Sequence, residues 1–200
     1  MIHVYWAGSD APNMEQYLKY IRSELTWVPL TIETWPDADP YGDGFLDKFR
    51  VNPHLDHFHD WAVENLRCPA LVLTRRQMRR DSKSVAPATG VTRWPVSLVT
   101  TTFEEKKGGR IPDDVVARTA LHEVAHLIRG HRNLVIGEDA VKDLDNGEHC
   151  SLETACILNS SAGKDAADVD QKILARPIAP KCAPCIEAWE FTKTAPEWVK

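Results

Sequence analysis

Two rhythms of apolar residues alternate along the first half of the chain. IHVYWAG (2–8) is rich in β-formers and closes on a turn, whereas PNMEQYLKYIRSEL (12–25) carries Met14, Tyr17, Leu18, Ile21 and Leu25 at helical spacing. VPLTIETW (28–35) returns to the extended pattern favoured by Val, Thr and Ile. PDADPYGDG (36–44) reads as a loop, and 45–66 as helical in part. PALVLTRRQM (69–78) is a third strand, buried at its start, and SKSVAPATG (82–90) a second loop. VTRWPVSLVTTTF (91–103) reads as one strand broken near Pro95 or as two short strands, and a proline there suits a sheet edge. Strand, helix, strand, helix, strand predicts an α/β layer.

The second half opens with a long helix and then becomes cysteine-bearing and loop-rich. The expected fold class is α+β with an α/β-like N-terminal lobe. A break near 130–150 divides a single domain, 1–200, into an N-terminal lobe (1–130) and a C-terminal lobe (131–200).

IPDDVVARTALHEVAHLIRG (111–130) has strong helix signals. Pro112 suits the first turn, Asp113 and Asp114 complement the positive end of the dipole, and Gly130 reads as the stop. Ala117, Leu121, Val124 and Ile128 form an apolar stripe that Ala120 and Leu127 widen, so the helix is central and mostly buried. His122 and His126, four apart, project from one face and can share a metal ion at about 2 Å. Glu123, rotated by about 100°, stays out of the coordination sphere but can reach a metal-bound water. That is the division of labour of a zinc peptidase: zinc activates the water, and the glutamate takes its proton as general base and passes it on.

Charge and composition narrow the alternatives. A net charge of -5 argues against binding nucleic acid by broad phosphate neutralisation, and RRQMRR and EEKKGGR read as solvated turns. No run approaches the roughly 18 apolar residues of a membrane span, and MIHVYWAGSD lacks a signal-peptide pattern, so the expectation is a cytoplasmic protein with no membrane partner. In a reducing compartment, closely spaced cysteines mean metal before disulfide.

A catalytic zinc wants three protein ligands and an open position. Against the metzincin pattern HExxHxxGxxH, the glycine comes one place late and Arg132 stands where the third histidine is due. His131, His149 and Glu153 are the candidates. Downstream, Cys150 and Cys156 form one pair, and Cys182 and Cys185 another in tight C-x2-C spacing; the two pairs can close a tetrahedral four-thiolate structural zinc site. Cys68 is left over as a core thiol.

With these motifs the chain resembles the archaemetzincins. Their pattern has an HExxH helix, a third zinc histidine followed at once by a cysteine, a second cysteine, a C-x-M Met-turn and a later C-x2-C. His149-Cys150, Cys156-Ile157-Leu158 and Cys182 to Cys185 fall in that order. The resemblance covers about residues 110–190 in motifs and the first half in outline. It implies a metzincin-like two-lobe fold with a mixed twisted sheet, a central zinc-binding helix and a small C-terminal lobe stabilised by the four-cysteine site. It implies His149 as third catalytic ligand, Cys150, Cys156, Cys182 and Cys185 on a second zinc (two Zn2+ per chain), and a peptide or protein substrate. The sequence departs from the pattern in about 17 extra residues, HRNLVIGEDAVKDLDNG, before His149, in a wider first cysteine pair, and in Leu158 at the Met-turn position, where leucine can supply the same apolar floor.

Two other clusters carry weaker signals. NPHLDHFHDW (52–61) brings His54, His57 and Asp60 near one helical face, which reads as a solvated or capping role ahead of a weak metal site. Trp94 reads as packing ahead of a substrate contact, and Trp189 and Trp198 as pins for the C-terminal tail. The competing functional class is a zinc-stabilised binding or regulatory module with a degenerate HExxH; a gluzincin-type site using Glu153 is a variant in coordination only. Oligomeric state is not encoded legibly.

Overall fold

β1 (Ile2–Ala7) sends alternate side chains into two separate apolar layers, and the rest of the molecule is arranged around that alternation. The computed structural model describes residues 1–8, 12–36, 49–75, 78–79, 87–102, 110–136, 157–158, 166–179 and 183–194, with the backbone alone for 49–57, 78–79, 87–88, 129–136, 166, 184–185, 188 and 192. The described elements run β1, α1 (Glu15–Glu24), β2 (Leu30–Glu33), β3 (Phe49–Arg50), α2 (Val51–Asn65), β4 (Ala70–Thr74), β5 (Met78–Arg79), β6 (Pro87–Ala88), β7 (Gly90–Arg93), β8 (Val96–Thr100), α3 (Asp113–Ile136), α4 (Ala166–Leu174) and α5 (Ala183–Thr194).

Five strands form the main sheet in the order β2-β1-β4-β8-β7. All neighbours are parallel except β7 and β8, which are antiparallel. β1 leads through α1 to β2 on one side, and β2 leads through α2 to β4 on the other. Right-handed crossovers in opposite directions put the two helices on opposite faces. Ile2, Val4, Trp6, Leu71, Leu73 and Val99 therefore share a core with α1 and α3, while Tyr5, Ala70, Val72, Val96 and Leu98 share one with Phe58 and Ala62 of α2 and with Leu66 just after it. β4 and β8, buried at every position, are the continuous apolar runs expected of strands covered on both faces.

Three expectations are corrected. Of the two readings of 91–103 the two short strands hold, as β7 and β8, but the proline lies in neither: Trp94–Pro95, whose peptide is cis, is the two-residue turn of a hairpin that pairs Arg93 with Val96 and Gly90 with Val99. Proline has no N–H for a ladder, so it takes the turn and leaves β7 as the edge and β8 in the interior. The long helix does not stop at Gly130 but continues to Ile136. An interior glycine costs only about 1 kcal/mol relative to alanine, and HRNLVI, without proline, carries the helix on. Among the described residues, the stretch read as loop-rich also holds two helices, α4 and α5. A small sheet of two-residue strands, β3-β5-β6, lies outside the strands read from the sequence except at Met78, the end of the expected 69–78 strand.

α3 is held by α1 through one carboxylate. Asp114 Oδ1 accepts from Lys19 Nζ (2.7 Å) and Tyr20 Oη (2.5 Å), and Oδ2 from Arg118 Nε (3.0 Å). Arg118 also donates to the Arg176 carbonyl at 2.6 Å, tying in the end of α4. Trp189 of α5 is buried edge-on against Trp27, as expected for a pin. Partial burial disfavours the charged form of Asp114, but the donors from Lys19, Tyr20 and Arg118 outweigh it and hold the carboxyl well below the usual carboxylate range. A carboxyl depressed in the folded state stabilises above its unfolded pKa of about 3.9 and loses that contribution as pH falls through the folded value. Urea midpoints measured from pH 5 down to pH 2 should therefore decline more steeply for the native chain than for Asp114→Asn. The difference should be modest, about 0.2–1 kcal/mol per contact, because the side chain is partly exposed.

Candidate metal centre and its carboxylate

Packing of the α3 stripe decides which polar residues enter the interior. Ala117, Leu121, Val124 and Ile128 are all buried, and the same rotation of the helix buries His122 and Glu123, each 4% exposed, while His126 is half-buried. One helical turn brings the two imidazoles together with ring centroids 4.6 Å apart and planes at 86°. Their Nε2 atoms lie 3.1 Å apart. His122 Nδ1–H donates to the Ile157 carbonyl at 2.5 Å. For a neutral ring this puts the hydrogen on Nδ1 and the lone pair on Nε2, facing His126. Two nitrogens at about 2.05 Å from a tetrahedral ion stand roughly 3.3 Å apart, so the pair fits one zinc ion.

Ile157 and Leu158 are buried in the core on the α3 side of the sheet. Leu158 is part of that core, and its neighbour's main-chain carbonyl orients the His122 ring.

Glu123 is hydrogen-bonded to the β7–β8 hairpin. Thr92 Oγ1 donates to its Oε2 at 2.6 Å and lies 3.1 Å from its main-chain carbonyl, which Ser97 Oγ also reaches at 3.1 Å. The Thr92 and Ser97 hydroxyl oxygens are 2.5 Å apart. Gly90 completes the seat: a Cβ there would lie 2.4 Å from Oε1, 2.7 Å from Cγ and 2.8 Å from Cδ of Glu123. The carboxylate occupies the space that any other residue's side chain would fill.

Of the expected site residues, the structure brings His122 and His126 together and sets Glu123 beside them. His149, Cys150, Glu153, Cys156 and Cys182 lie outside the described residues, and His131 and Cys185 are described by backbone alone, in α3 and α5. Among the described residues no three His, Cys, Asp or Glu side chains gather as a metal site. His54 and His57 are likewise described by backbone alone, whereas His59 Nε2 donates to the Trp94 carbonyl at 3.0 Å and braces α2 against the hairpin turn. Cys68 is half-buried, with its thiol 3.8 Å from the Leu66 carbonyl and pushed up in pKa by burial. Gly90, Thr92 and Ser97 escape a reading of the sequence alone. The available signal was the hairpin itself, which pairs Thr92 with Ser97 across the Trp94–Pro95 turn. The Ile157 carbonyl, a main-chain group, has no sequence signal.

No protein-family model and no curated protein matches the sequence. Two solved structures match the fold over nearly the whole chain. The archaemetzincin of Methanopyrus kandleri is 12% identical with a TM-score of 0.58, covering 97% of this chain and 95% of its own. The archaemetzincin of Archaeoglobus fulgidus, solved with malonate, is 13% identical with a TM-score of 0.52, covering 94% of this chain and 98% of its own. The chain has the archaemetzincin fold. Among the described residues, no helix is long and apolar enough to cross a membrane.

If the facing nitrogens are a metal seat, His126→Ala in the metal-free chain should weaken zinc binding by more than the roughly 10–100-fold that loss of an outer partner costs. Titration against a competing chelator measures it, and unchanged affinity would exclude His126 as a ligand.

Proposed function

We propose that this archaemetzincin-fold chain is a zinc metallopeptidase that hydrolyses peptide bonds, with Glu123 as general base and then acid. The observation that carries the reading is the pair of Nε2 atoms 3.1 Å apart on α3 with a buried, pinned carboxylate at the next position. Zinc, when bound, would acidify a water molecule and polarise the scissile carbonyl. His122 and His126 would hold the ion, and the Ile157 carbonyl fixes the His122 tautomer that leaves the Nε2 lone pair free to bind it. Glu123 accepts the proton of the attacking water and delivers it to the departing amine, so that the carboxylate ends as it began.

We assign the third ligand to His149. Continuation of α3 through residue 136 supports this against His131, because position 131 falls about 140° round the helix axis from position 126. Cys150, Cys156, Cys182 and Cys185 would hold a second, structural zinc; Cys185 belongs to the first turn of α5. β7 is the last strand of the main sheet among the described residues, and an extended substrate can add to its outer edge, with Trp94 at the turn beside it. The alternative of a binding module with a degenerate site is not favoured, since the two imidazoles and the carboxylate keep an ordered set of partners.

Glu123→Ala should retain zinc and lose at least about 100-fold in hydrolysis of a quenched-fluorescence peptide library, the range expected for removing a general base. Undiminished cleavage would remove Glu123 from the mechanism. Metal analysis of His149→Ala and Glu153→Ala then separates the ligand sets: His149→Ala should drop the zinc content from two per chain to one, and Glu153→Ala should leave two. The reverse pattern would make Glu153 the ligand.

A further inference from the structure

A carboxylate on a side chain only 4% exposed would be poorly placed for proton transfer if it could rotate freely, and the β7–β8 hairpin supplies contacts that hold it. We infer that Thr92 is the positioning residue of Glu123, with Ser97 orienting the Thr92 hydroxyl and the bare Cα of Gly90 setting the depth of the seat. The inference rests on the reading of Glu123 as the proton-transfer group, and adds to it the residues that set where the carboxylate sits.

Three observations converge on it. Thr92 and Ser97 are cross-strand partners on the face of the hairpin turned toward α3, while Val91 and Leu98 on the other face pack with the α2 layer. Their hydroxyls touch each other and both reach the Glu123 main chain, so hairpin and helix are joined where the carboxylate leaves the backbone. With Thr92 donating to Oε2, a Ser97 proton directed at Thr92 Oγ1 completes a two-hydroxyl chain ending on the carboxylate. Gly90 then acts by subtraction. An added methyl would meet Oε1, Cγ and Cδ, the mobile end of a side chain, so the substitution moves the carboxylate instead of breaking the backbone. Thr92 thus holds the carboxylate by a hydrogen bond, and Gly90 by leaving it room.

The test is a double-mutant cycle: Thr92→Val, Thr92→Ser and Gly90→Ala, each in the native and the Glu123→Ala background. In the metal-free chain, Thr92→Val should lower the urea midpoint when Glu123 is present, because a buried carboxylate loses its donor, and should lower it far less when Glu123 is absent. A coupling of at least about twofold in the unfolding equilibrium constant is expected, and equal losses in the two backgrounds would overturn the inference. In the zinc-loaded chain, Thr92→Val and Gly90→Ala should each reduce kcat on the peptide library by about 10- to 100-fold at unchanged KM and zinc content, part of the full general-base contribution. Thr92→Ser should restore most of the rate. A loss expressed in KM or zinc content, or absence of rescue by serine, would assign Thr92 a structural role only. If Thr92→Val does not fold, Gly90→Ala carries the same cycle. If Glu123→Ala keeps native activity, or the native chain cleaves no peptide, the peptidase reading fails while the metal-free cycle still decides the contact.

Discussion

Burying a carboxylate is the constraint that shapes the candidate site. An ionised group taken out of water has to be met by donors, or the fold loses several kcal/mol. α3 cannot turn its apolar stripe to the sheet without carrying His122 and Glu123 inward with it. The polar demand is answered locally: the Ile157 carbonyl takes the His122 Nδ1 hydrogen, and the Thr92 hydroxyl, itself in contact with Ser97, donates to the Glu123 carboxylate. Each of these partners comes from a different stretch of chain, so the site holds its shape only when hairpin, helix and the 157–158 segment are assembled together.

The same logic explains why the edge of the sheet lies where it does. β8 is buried on both faces and belongs to the core, whereas β7 is short and only half-covered. A short edge strand opening with glycine is a weak sheet element in propensity terms, since glycine adds no packing and favours no extended conformation. Its composition makes sense as a surface shaped to a neighbour. Gly90 and Thr92 face the helix, and Val91 between them serves the opposite layer.

Much of this was legible in one dimension. The order of strands and helices in the first half came through in the shift between period 2 and period 3.6. The burial of α3 could be read from Ala117, Leu121, Val124 and Ile128, and the convergence of His122 and His126 from their spacing. The information that escaped is held between segments. Pro95 announces a break in a strand but not the handing of Thr92 to Ser97. Gly130 announces a stop only where the residues after it are unable to continue a helix, and HRNLVI is able to. The Ile157 carbonyl carries no side-chain identity at all. The archaemetzincin resemblance, drawn from motifs in the second half, is matched by the fold as a whole at 12–13% identity.

The run of α3 beyond Gly130 also changes the arithmetic of the chain downstream of it. At about 1.5 Å per residue, Ile136 stands some 15 Å further along the axis than His126. Any group returning to the histidines from downstream must retrace that distance, which takes at least about five residues at full extension. Position 149 lies thirteen residues past Ile136, more than twice that minimum. With His149 as the third ligand proposed above, the thirteen positions after Ile136 are enough chain to cover that distance.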